Sequence, residues 1–198
     1  MGFLLKISAL VDAINRLVGK AVIWLILTAA IISAANAVAR KAFSVGSNAL
    51  LEIQWYLFAA AFLLGAGATF LQNGHVRIDV LASRLSNRTR TWIDIAGIVL
   101  FLLPLCWFMI QYSYPIVERA YRLGEMSSNA GGLIRWPVYA TLPAGFALLG
   151  LQALSELVKR IAFLRDLVPD PFALPSEPEN NASPAESDVI GSAEEVQK

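Results

Sequence analysis

The sequence predicts an all-α integral membrane protein: four transmembrane helices plus amphipathic interfacial helices, with the N- and C-termini cytoplasmic. Three observations lead there. The 198 residues are 57% hydrophobic and only 16% charged, whereas a water-soluble domain is about 45–50% apolar and about 25% charged. The excess is gathered into four uncharged stretches, 21–39, 53–74, 95–117 and 136–155, each close to the ~20 residues a helix needs to cross a ~30 Å hydrocarbon core. Lipid offers no water to satisfy peptide groups, so the runs are helices. Lysine and arginine, finally, are shared unequally between the connections, and that bias sets orientation.

The elements follow in order. Residues 1–17 form an amphipathic lead-in: Phe3, Leu4, Ile7, Leu10, Val11, Ile14 and Leu17 recur at helical spacing, while Lys6, Asp12, Asn15 and Arg16 take the other positions. That pattern fits a segment lying partly in the membrane interface. The membrane domain spans 18–165, with helices over about 18–39, 50–72, 91–116 and 135–159. The small residues of AANAVA at 34–39 resemble a signal-peptidase site, but the first apolar run is longer than a signal core and starts late, so it is read as a retained helix. Beyond 165 the composition changes. The last thirty residues hold five prolines and seven acidic residues against one lysine, and 166–198 is read as a disordered, acidic, Pro-rich cytoplasmic tail that cannot bury enough apolar surface to offset its ordering entropy.

Ten basic residues flank one side: Lys6, Arg16 and Lys20, then Arg77, Arg84, Arg88 and Arg90, then Lys159, Arg160 and Arg165. Five flank the other: Arg40, Lys41, Arg119, Arg122 and Arg135. The connections at 40–49 and 118–134 are therefore expected to face outward.

This topology gives meaning to GHVRIDVLASRLSNRTR, residues 74–90, which carries the only histidine of the chain. It becomes a cytoplasmic elbow over 75–90. Ile78, Leu81 and Leu85 share one helical face, and Arg77, Arg84 and Arg88 another, as in an in-plane helix whose arginines meet anionic headgroups. His75 and Asp79, four residues apart, are read as polar anchors at the membrane surface rather than a proton relay. Nucleic acid is a poor partner for so few basic residues placed against a membrane. No cofactor is expected. A lone histidine cannot give bis-imidazole haem ligation, no Cys, His or carboxylate cluster completes a metal site, and no nucleophile, base and orienting group come together, so an enzyme is not expected.

Within the spans, Glu52 stands out at the outer start of the second helix. It is expected to complement the helix N-terminus and to pair with a cation such as Arg40. Trp55, Tyr56, Trp136 and Tyr139 lie near the same interface, as an aromatic belt does. Ala61-x-x-x-Gly65, Ala30-x-x-x-Ala34 and Ala140-x-x-x-Ala144 are candidates for close helix approach. Pro104, Pro137 and Pro143 are candidate kinks, and Cys106 is a small apolar residue mid-span.

The stretches 50–81 and 124–157 carry a family resemblance. Glu52 with Gln54 and Trp55, then Gly74, His75, Val76, Arg77, Ile78 and Asp79, then Gly132-Leu133 with Arg135-Trp136-Pro137 and Pro143, resemble the small membrane subunit of tripartite ATP-independent periplasmic (TRAP) transporters, the DctQ-like family. The likeness covers about 20–165. It implies a scaffold in the bacterial inner (cytoplasmic) membrane that supports a large multi-span TRAP subunit. It also implies docking of a periplasmic substrate-binding protein for ion-coupled uptake of an organic acid or related solute, and a partner interface at Glu52, Gln54, Trp55, Arg135, Trp136 and Pro137. Membrane lipids are the expected partner of His75, Arg77, Asp79, Arg84 and Arg88. Two rivals are a self-contained four-helix exporter, which needs a membrane-embedded acid, and the membrane anchor of an oxidoreductase, which the single histidine disfavours.

Overall fold

In the computed structural model, residues 2–44, 46–72 and 86–167 are described. The elements are α1 (Gly2–Phe43), α2 (Asn48–Leu71), α3 (Asn87–Gly97), a π-helical turn (Ile98–Leu102), α4 (Leu103–Arg122) and α5 (Trp136–Leu164). α3, the π turn and α4 make one continuous helix, so four helices are long and apolar enough to cross a membrane. Among the described residues there is no strand, only an isolated antiparallel bridge between Met126 and Ile134.

α5 is the centre of the bundle. It packs against α1 and α2 on one side and α4 on another, and α1 and α2 also pack together. Glycine sets the closest approaches. A Cβ on Gly145 would lie 2.6 Å from the Leu63 carbonyl oxygen, and one on Gly19 would lie 2.8 Å from Ala68 Cβ. Gly67 faces Asn15 so closely that any side chain there would clash with Asn15 Oδ1. Without a hydrophobic drive between helices in lipid, such close packing is what holds them. The small-residue pairs expected from the sequence are only partly used. Ala61 is buried and Gly65 meets Val22, but Ala30, Ala34 and Ala144 face outward. Alanine is common on every face of these helices, so its spacing does not select the buried one.

The interior is unusually polar. Ser8, Asp12, Asn15, Gln152, Ser155, Glu156 and Arg160 are all buried, and Gln152 and Asn15 are among the largest fully buried side chains. Leu10 and Leu17, by contrast, are 62% and 69% exposed. A soluble bundle would show the reverse, and buried polar groups within apolar walls are the membrane arrangement.

Several boundaries differ from those read in the sequence. The lead-in and first span form one helix of 42 residues, about 63 Å long at 1.5 Å per residue. Its polar stripe, expected to face water, turns inward: Ser8 and Ser155 hydroxyls lie 2.6 Å apart, and Asp12 accepts from Gln152 at 2.9 Å. The third helix starts at Asn87, inside the expected elbow, because Ser86 caps it by accepting from the Thr89 backbone N–H at 3.3 Å. The π turn ends two residues before Pro104. Proline lacks an N–H and crowds the carbonyl four residues back, and a widened turn relieves both. Pro143 and Pro115 lie inside α5 and α4; Pro115 was not singled out from sequence.

Candidate functional site

α2 and α5 begin at the same end of the bundle, and the connection 123–135 lies over both. Three features of its sequence fold it locally. Gly124, at φ 57°, ends α4, with the Glu125 N–H reaching back to the Ala120 carbonyl at 2.9 Å, a left-handed helix stop that suits glycine. Gly131, at φ 72°, turns the chain again. Between them the Ser127 N–H bonds the Leu133 carbonyl, and the Gly132 N–H the Asn129 carbonyl, each at 2.9 Å. The result is a small ordered hairpin.

Glu52 ties this hairpin to α2. The side chain is 6% exposed, and a carboxylate so enclosed needs donors. Ser127 Oγ and Asn129 Nδ2 donate to Oε1, the latter at 2.7 Å, while the Leu133 backbone N–H donates to Oε2 at 2.8 Å. Asn48 Nδ2 adds a bond to the Ala130 carbonyl at 3.2 Å. Two expectations are corrected here. Glu52 lies beyond the first turn of α2, which holds no acidic residue, so helix-dipole complementation is not its role. Its partners are hairpin donors rather than Arg40, because the hairpin folds directly over it.

Arg135 stands beside this cage. Its guanidinium meets the Tyr139 hydroxyl at 3.4 Å and Glu125 Oε1 at 3.5 Å. The bond to Tyr139 is the main reason its pKa is raised further, with the Glu125 carboxylate adding to it, so the group is a permanent cation. Glu52, Trp55, Tyr56, Arg135 and Tyr139 line a cleft of about 300 Å³ with Ser127 and Asn129. Trp55 is 69% exposed at its edge. Trp136 is also exposed and meets Tyr121 edge-on, with ring centroids 5.5 Å apart. Pro137 is exposed in the first turn of α5, and Gln54 is half-buried on α2. Glu52, Trp55 and Arg135 therefore come together, Trp136 and Pro137 sit on the adjoining surface, and Gln54 is not among the cleft residues. Sequence reading missed Ser127, Asn129 and the Leu133 backbone; the signal was the polar Ser127-Ser128-Asn129 set between glycines.

A second cluster occupies the other end of α5, about 30 Å away along the helix. Lys159 Nζ bridges Asp12 at 2.7 Å and Glu156 at 2.6 Å, while Arg160 joins Glu156 to Asp94 of α3 at 3.1 Å. Gln152 accepts from Asn15 Nδ2 and donates to Asp12, both at 2.9 Å. Removing one partner of such a buried pair would leave the other charge uncompensated. Lys159 and Arg160, counted from the sequence as orientation signals, are thus also structural. Of the elbow residues, His75, Arg77, Asp79 and Arg84 lie outside the described residues. Arg88 is described: it is exposed on α3 and donates to both Asp166 carboxylate oxygens, at 2.9 and 3.0 Å.

Four apolar helices around a polar seam, capped by a tethered hairpin, define a multi-span membrane protein with no enzyme-like constellation among the described residues. The family model of the DctQ component of tripartite ATP-independent periplasmic transporters matches residues 29–163, and the chain belongs to that family. That family is a component of transporters. Comparison with curated proteins and with solved structures returned no match.

Proposed function

We propose that this chain is the scaffold of its transporter. In this reading it lies in the bacterial inner membrane with both termini cytoplasmic. It braces the large multi-span subunit that carries the solute, and it offers the hairpin over Glu52 to the periplasmic binding protein during ion-coupled uptake of an organic acid or related solute. The observation that supports this best is the Glu52 cage. A buried carboxylate spent on three hairpin donors shapes a surface rather than binding a transported ion. Preorganised loops lose less entropy on docking, and aromatic side chains at their rim are common anchors. Trp55 and Trp136, with Pro137 beside them, supply such a rim.

The elbow expected from the sequence over 75–90, of which 75–85 lie outside the described residues, belongs to the same proposal as a contact with anionic headgroups. Each arginine near an anionic surface contributes about 1 kcal/mol.

The test is Glu52→Ala in the assembled transporter. Without its carboxylate the hairpin loses its tether. Affinity for the binding protein should fall several-fold, while co-purification of the large subunit stays as in the wild type. Unchanged binding-protein affinity with a demonstrably loosened hairpin would refute the docking role.

A further inference from the structure

The cleft beside Glu52 does not end at its polar wall. Val138 and Tyr139 line both it and an apolar groove of about 460 Å³ between α4 and α5, completed by Ser113, Ile116 and Leu142. Polar groups therefore stand at the mouth of the span, and apolar ones continue into it one helical turn deeper. That order is the order of parts in a membrane lipid. We propose that cleft and groove together hold one glycerophospholipid whose headgroup carries a primary ammonium.

Each part of such a lipid has a counterpart. Arg135, a permanent cation with five N–H donors, meets the phosphodiester; bidentate guanidinium–phosphate contact is among the stronger charge-assisted pairs. The ammonium fits over the exposed face of Trp55, since aromatic faces attract cations. The formal charges around the cleft decide which headgroup is favoured. Among the described residues that line the cleft, Glu52 and Arg135 are the charged ones, and Arg135 is already paired with Glu125 outside the lining, which favours a zwitterionic ammonium lipid over an anionic glycerol one. One acyl chain lies along Ile116, Val138 and Leu142, where area leaving water is not at issue and shape complementarity selects the chain. This site lies at the opposite end of α5 from the Arg160–Asp94 pair, and it stands apart from the docking reading because it needs neither partner protein.

The test uses the chain purified from membranes containing both ethanolamine- and glycerol-headgroup lipids, with retained lipid identified by native mass spectrometry. The ethanolamine lipid should be enriched several-fold over its share in the membrane, at one molecule per chain. Leu142→Trp, which fills the groove, and Trp55→Ala, which removes an exposed ring and leaves packing untouched, should each abolish the enrichment. Trp92→Ala, an exposed ring on α3, should not. Headgroup proportions equal to the membrane's, enrichment of the glycerol lipid instead, or enrichment surviving in Trp55→Ala would overturn the proposal. Because no binding protein is present, failure here is distinct from failure of docking.

Discussion

Asn15 shows what a single residue does in this bundle. Its amide nitrogen donates to Gln152 at 2.9 Å and to the Val11 carbonyl at 3.3 Å. Its oxygen has no hydrogen-bond partner among the described residues and faces Gly67. Glycine is required there because any Cβ would strike that oxygen. Gly67→Ala should therefore destabilise the chain by about 1–3 kcal/mol, the usual cost of overpacking. Gly97→Ala, where a methyl meets open space, should not. Thermal unfolding in detergent compares the two. Gln152→Leu should also destabilise, by roughly 1–2 kcal/mol, since it removes partners of both Asn15 and Asp12 and interhelical bonds in membranes average about 0.6 kcal/mol, up to about 1.7. Full stability in that variant would mean the polar seam carries no weight. None of these contacts was legible in the sequence. Asp12 and Asn15 read as the polar positions of an interfacial segment and Lys159 as an orientation signal, and hydropathy does not say which face of a helix a partner covers.

At the scale of elements, α1 is where the sequence misled most. Its apolar spacing over 1–17 was plain, and so was its amphipathic character; the direction of the apolar face was not. Periodicity fixes which residues share a face, whereas the neighbours of that face decide whether it looks inward. Here the polar stripe bonds α5 through Ser8 and Asp12, so the apolar stripe is turned outward toward lipid or a subunit. The prediction is positional. In a Cys106→Ala background, single cysteines replacing Leu10 or Leu17 should react quickly with a membrane-soluble maleimide, and one replacing Ser8 slowly. Equal or inverted rates would place the helix the other way round. The presence of four spans was, in contrast, legible, because a run of about twenty uncharged residues has few other physical outcomes. The candidate site was half legible: Glu52, Trp55 and Arg135 were identified, but a side-chain cage built by a loop eighty residues away leaves no local signal beyond its glycines.

For the whole molecule, the proposed orientation and role are testable together. Reporter fusions after Gly46 and Asn129 should report the periplasm, and fusions after Asn87 and Pro175 the cytoplasm. A periplasmic signal after Asn87 would invert the arrangement and remove the hairpin from the binding protein. The central claim is that this chain supports transport without performing it, and uptake in reconstituted liposomes tests it most directly. Vesicles holding the large subunit together with this chain, supplied with the binding protein and an ion gradient, should accumulate solute. Vesicles lacking this chain should accumulate little, and vesicles holding this chain alone none. Solute flux through this chain by itself would contradict the scaffold account.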